Sequence, residues 1–186
     1  TYSAFLLRYT FMSDSTVEIT NTSIYLNNAT STSQFAYGLL FTFEISNVTL
    51  NMVSITHNLL QSLSFQVSGI LYSTNSLALD LIKCNISSNT GIAPLVYLGI
   101  YSVNAHQVSI QDTEFSNHIS MAQRAGSSGI AIKSSKLLSI TNSRILRNKC
   151  FGSCKGSSGV AITQAASVVL MDSQFIGNEA EGIHGG

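Results

Sequence analysis

A twelve-residue line recurs six times in this chain at a nearly constant interval, and that recurrence leaves few folds open. "LLSITNSRILRN" (137–148) is matched thirty residues later by "SVVLMDSQFIGN" (167–178). Val17-x-Ile19 leads to Ile24 and Asn27, and Val48-x-Leu50 to Ile55 and Asn58. Leu79-x-Leu81 leads to Ile86 and Asn89, and Val108-x-Ile110 to Phe115 and His118. Leu138-x-Ile140 leads to Ile145 and Asn148, and Val168-x-Leu170 to Phe175 and Asn178. The starts lie 31, 31, 29, 30 and 30 residues apart, while the spacing inside each copy is unchanged. A second mark keeps the same beat: Gly38, Gly69, Gly99, Gly129 and Gly159 each precede a short apolar run.

Within each copy the apolar residues alternate, as a strand with one buried face requires. The Ser, Thr, Asn and Gly content disfavours helix. Each unit is therefore expected to hold about three short strands: Val-x-Ile, the Ile/Phe segment before Asn, and the glycine-led segment. No unit can bury its own apolar row, so the rows must stack on their neighbours. The fold class predicted is all-β, a parallel β-helix solenoid of about six coils of ~30 residues. Residues 1–186 form one domain, with coils starting near 17, 48, 79, 108, 138 and 168. Residues 1–16 read as the tail of a preceding coil, and the whole as a segment of a longer array, because neither end resembles a polar cap.

Stacking at roughly 4.8 Å turns equivalent positions into columns. Thr22, Val53, Cys84, Thr113, Ser143 and Ser173 make a column of small side chains at a bend. Asn27, Asn58, Asn89, Asn148 and Asn178 make a structural ladder whose amides bond from coil to coil. His118 interrupts it, with Asn117 beside it as the alternative rung.

Composition narrows the function classes. Charged residues are 10% of the chain, against a usual quarter or so, and the formal net charge is zero. No basic run is present, so nucleic-acid binding is not expected. No apolar stretch approaches the ~18 residues of a membrane-spanning helix. Residues 1–105 carry two basic side chains, Arg8 and Lys83, and four acidic ones. That half includes the apolar run "FAYGLLFTF" (35–43), a surface that needs cover by another subunit, more chain or sugar.

N-x-S/T sequons at Asn21, Asn28, Asn47 and Asn85 are N-glycosylation candidates, all in the charge-poor half. Cys150 and Cys154 are a disulfide candidate that would pin a loop rather than hold the fold. Cys84 in the small-residue column reads as a buried thiol. Among the outward positions of the first strand only Glu18 and Asp80 are acidic, two coils apart, and no His or Arg joins them. Asp112, Asn142 and Asp172 read as bend residues rather than calcium ligands. No catalytic residue, cofactor or metal ligand is therefore expected, and the chain is read as non-enzymatic.

The pairing of "FIGN" (175–178) with "SGIAI" (128–132) and "SGVAI" (158–162) resembles the F-x-x-N and G-G-A-aliphatic repeats of chlamydial polymorphic outer-membrane proteins. The coils as a set resemble the right-handed β-helix, pectin-lyase-like superfamily, which includes long surface proteins of protists. The polygalacturonase signatures N-T-D, D-D and G-H-G are absent. The resemblance thus implies right-handed coiling and an extracellular or cell-surface setting without importing a catalytic site. The expected role is a structural building block of a surface fibre, filament or coat. Its expected partners are further copies or neighbouring segments of the array, and N-linked glycans. A carbohydrate- or host-binding adhesin stalk is the second reading, and a polysaccharide lyase or glycosidase the third.

Overall fold

The computed structural model describes residues 2–3, 7–10, 15–31, 35–37, 40–43, 47–62, 66–68, 70–152 and 158–181. Its described elements are strands, and the pairings between them are parallel. The first face of the solenoid carries the Val-x-Ile strands: Thr16–Thr20, Asn47–Asn51, Ala78–Ile82, Gln107–Gln111, Leu137–Thr141 and Ser167–Met171. The second carries Ser23–Tyr25, Ser54–Thr56, Asn85–Ser87, Glu114–Ser116, Arg144–Leu146 and Gln174–Ile176. The glycine-led strands, from Leu7–Thr10 through Ile100–Val103 to Val160–Thr163, make a further six-stranded face.

The coils hold four strand-bearing faces rather than three. Between the Asn column and the glycine column lies a nine-stranded sheet that includes Leu59–Ser62, Thr90–Tyr97, Ile119–Ser127 and Lys149–Gly152. This face absorbs the variation in repeat length. Thr90 pairs with Ile119, 29 positions on, but Leu95 pairs with Ala125, 30 positions on. The step falls at Pro94, where the register shifts by a β-bulge. Proline has no N–H to give to a ladder, so a bulge is where a sheet tolerates it. No fixed apolar spacing survives there, which hides the face from a periodicity search.

The inward columns match the expected register. Val48, Leu79, Val108 and Leu138 are wholly buried, as are Leu81, Ile110 and Ile140 beside them. Ile55, Ile86, Phe115 and Ile145 fill the second face's interior. In-register partners confirm the columns: Leu79 opposes Val48 and Val108, and Ile86 opposes Ile55 and Phe115.

The chain turns its corners on left-handed backbone. Asn21, Met52, Lys83, Asp112, Asn142 and Asp172 form one column with φ between 46° and 54°. Leu26, His57, Ser88, Asn117, Arg147 and Gly177 form a second, and Asn75, Asn104, Ser134 and Gln164 a third. Such backbone costs a non-glycine residue about 1–2 kcal/mol, so residue preference cannot explain Met52 or Arg147. The stack imposes it. Met52 N–H donates to the Ile82 carbonyl and Arg147 N–H to the Ile176 carbonyl, so the corner residues continue the inter-coil ladder.

The glycine column has a steric cause. The Gly129 backbone packs so closely on the next coil that an added Cβ would stand 2.6 Å from the Ser158 carbonyl oxygen and would collide with that of Gly159. A Cβ on Gly99, whose φ is 89°, would collide with the Gly129 carbonyl oxygen in the same way. Gly38 and Gly69 lie outside the described residues.

Candidate functional site

Two ladders of polar side chains run along the corners beside the second face. At the first, Thr113 Oγ1 donates to the Gln111 carbonyl (2.8 Å) and accepts the Cys84 N–H (3.1 Å). Ser143 Oγ repeats this with the Thr141 carbonyl (2.8 Å) and the Thr113 N–H (3.2 Å). Cys84 fits the column as a thiol donor to the Leu50 and Ile82 carbonyls, each at 3.4 Å. Burial pushes its thiol pKa up, outweighing the opposing hydrogen bonds from Val53, Ile82 and Thr113. It is a free, buried cysteine, as the small-residue column implied.

The second ladder is the asparagine column. Asn58 Oδ1 accepts both the Asn27 backbone N–H (3.0 Å) and Asn27 Nδ2 (2.9 Å). Asn89 Oδ1 receives the same two bonds from Asn58, each 2.9 Å, and Asn178 Oδ1 receives them from Asn148. The Nδ2 groups also reach back into the core carbonyls: Asn58 to Ile24, Asn89 to Ile55, Asn148 to Phe115 and Asn178 to Ile145. The Asn58 and Asn148 amides therefore each join three coils.

His118 occupies the ladder position itself. Its Nδ1 accepts the Asn89 N–H (3.3 Å), and its own N–H donates to Asn148 Oδ1 (3.1 Å). Asn117 does not replace it: Asn117 is an exposed left-handed corner residue whose amide donates to Ser116 Oγ (3.3 Å).

The outside of the stack carries the remaining candidates. Asn21 is exposed on the first corner, Asn28 and Asn85 are exposed at strand starts, and Asn47 is half-buried. Glu18, Thr49 and Asp80 stand in register on the first face. Burial pushes the Asp80 carboxyl pKa up. No His or Arg joins this column, whose in-register continuation is Ser109, Ser139 and Val169. Glu114 and Arg144 form an exposed ion pair at 3.3 Å, and Lys149 pairs with Glu179 at 3.1 Å. Asn142 Nδ2 donates to Asp112 Oδ1 across the first corner, so these are bend residues bonded to each other. Among the described residues, no three His, Cys, Asp or Glu side chains are grouped to hold a metal ion. Among the described residues no helix is long and apolar enough to cross a membrane.

Cys150 is wholly buried and disulfide-bonded, while Cys154 lies outside the described residues. The side chains of 35–43 likewise lie outside them.

One surface feature was not read from the sequence. Tyr97 and Tyr101 bracket the tight bend at Gly99 and stack with ring centroids 4.3 Å apart and planes 16° from parallel. Tyr72, in register with Tyr101, leans on it at 5.4 Å. Burial raises the Tyr101 phenol pKa to about 12, reinforced by Tyr97 and Tyr72. In the next two coils the column drops to Ala131 and Ala161, leaving a groove of about 350 Å³ with Lys133 and Thr163 on its lining. The available signal was a Tyr column two and three residues past Gly99 and Gly69.

A family model described as a right-handed β-helix region matches residues 68–185, more than half of the chain. No curated protein and no solved structure gives a match. Parallel faces turning on repeated left-handed corners, threaded by polar ladders, are what that match describes in sequence: the chain belongs to the right-handed β-helix family.

Proposed function

We propose that the chain is an extracellular structural protein, a β-helical building block of a surface fibre, filament or coat that works through stacking and lateral contacts. One observation carries this reading. Each inner coil bonds its two neighbours through the same side-chain position: Asn58 joins Asn27 and Asn89, and Asn148 joins His118 and Asn178. Stacking of this kind adds coil to coil along one axis, which suits a building block. The weakly charged exterior of the first three coils fits lateral packing, and sugar at Asn21, Asn28 or Asn85 would solubilise it.

Electron microscopy of the purified protein tests the reading. Periodic fibres are expected, and rods alone from the unaltered chain would contradict the reading. Intact mass before and after enzymatic deglycosylation of secreted material should differ; identical masses would remove the glycan part.

The second reading, a carbohydrate- or host-binding stalk, is favoured by the groove that Tyr97, Tyr101 and Lys133 line. Isolated rods that bind a glycan probe and lose it with Tyr101→Ala would support it.

A further inference from the structure

The asparagine ladder has one rung of different chemistry, and it lies at the junction between the third and fourth coils. Asn58 and Asn89 each receive two bonds from the rung before through Oδ1. His118 receives one, from the Asn89 N–H to Nδ1. Because Nδ1 accepts, the ring's proton must sit on Nε2. That Nε2 is buried and, although the Ile86 backbone lies near enough to act on the ring, it makes no hydrogen bond of good geometry. The ring therefore holds the stack by a single lone pair.

Protonation would take that lone pair. An imidazolium donates from both nitrogens, so Nδ1–H would point at the Asn89 N–H, two donors facing each other in a dry interior. Among the described residues no countercharge is placed to receive it. The charged residues on and beside the strands packed around His118 are Glu114, Arg124, Arg144, Arg147, Lys149 and Glu179. Glu114 pairs with Arg144 and Lys149 with Glu179 on the outside of the coils, and Arg147 is exposed at its corner. Lys149 meets His118 only through its backbone N–H, which donates to the His118 carbonyl (2.7 Å).

We propose that His118 is an acid-operated joint: protonation of its ring breaks the Asn89–His118 link and loosens the stack between the third and fourth coils. The joint divides the charge-poor coils from those that carry most of the basic residues, so acid would separate two halves with different exteriors. This holds whether or not the chain assembles into fibres.

Burial lowers the His118 pKa to about 4, with the backbone at Ile86 and Asn89 acting more weakly the other way. The unfolded chain's histidine takes its proton near 6.5. Stability from this group is thus fully present above pH 6.5 and lost as pH falls from 6.5 towards 4. The unfolding constant should rise by roughly two orders of magnitude across that window.

Hydrogen exchange and denaturant unfolding at several pH values, on the unaltered chain and on His118→Asn, test the joint. After correction for intrinsic rates, the Asn89 and His118 amides should lose protection on acidification before the Asn27 and Asn58 amides do. His118→Asn, which restores the rung found at the other positions, should flatten the pH dependence. An equal pH dependence in His118→Asn, or simultaneous loss of protection at all rungs, would overturn the proposal. So would an NMR titration of the His118 ring in the unaltered protein with a midpoint near 6.5.

Discussion

Gly129→Ala is expected to destabilise the chain by about 4 kcal/mol or more, the range reserved for steric failure in a packed interior. The added methyl would meet main-chain oxygens of the next coil, Gly159 and Ser158, rather than the movable end of a side chain. The Gly159 carbonyl cannot withdraw without losing its place in the ladder, since the Ile130 N–H donates to it at 2.9 Å. The result should be a fall in the thermal midpoint of at least roughly 10 °C. Gly177→Asn is the matched control. Gly177 has positive φ, unlike Gly129, and the nearest group to its missing Cβ is the flexible Arg147 Cγ at 3.2 Å. Its column already accommodates Leu26, His57 and Asn117. That variant should stay within about 1 kcal/mol of the parent. Equal losses at the two sites, read by thermal denaturation, would show that close coil approach is not what the glycine column protects.

Asn58→Leu should cost about 3–5 kcal/mol, because it strands several buried polar groups at once. Both Asn27 donors lose their shared acceptor, and the Ile24 and Thr56 carbonyls and Asn89 Oδ1 lose a donor. Leucine matches the volume and polarity of the neighbouring core, so a purely hydrophobic account would forecast little change. Asn58→His should cost less than Asn58→Leu, since an imidazole already serves as the rung at His118. Asn58→Asp should be no better than leucine, because its second oxygen would face three acceptors. Denaturant midpoints for the three variants check the order, and a neutral Asn58→Leu would refute the ladder's contribution.

The two kinds of residue explain how far the sequence could be read. Inward columns such as Val48–Leu79–Val108 are legible because strand alternation and coil stacking both act on side-chain type, and only apolar types satisfy them. The asparagine rungs are legible for a similar reason: the position needs one acceptor and one donor at fixed height. His118 kept the acceptor but turns its donor to no well-placed acceptor, so it could be recognised as an exception but not placed. The corners were legible only where Asp112, Asn142 and Asp172 marked a bend. Met52, Lys83 and Arg147 adopt backbone that none of them favours, because neighbouring coils dictate it. The third face was hidden for a different reason, since Pro94 and its bulge change the period there. On the outside, Asn21, Asn28, Asn47 and Asn85 could be found as a tripeptide pattern. The Tyr97–Tyr101 stack could not, because it forms across the bend at Gly99, between two faces of which one had no sequence signature.

The central claim is that residues one period apart sit one above another and are joined through their side-chain amides. Scalar coupling across hydrogen bonds, measured by NMR on isotopically labelled protein, tests it most directly. Coupling is expected from the Asn27 backbone nitrogen to the Asn58 side-chain carbonyl carbon, 31 residues away, and likewise from Asn58 to Asn89 and from Asn148 to Asn178. Observation of those three couplings would establish the ladder. Their absence while the same amides are protected from exchange, or coupling to carbonyls within the same coil instead, would contradict it.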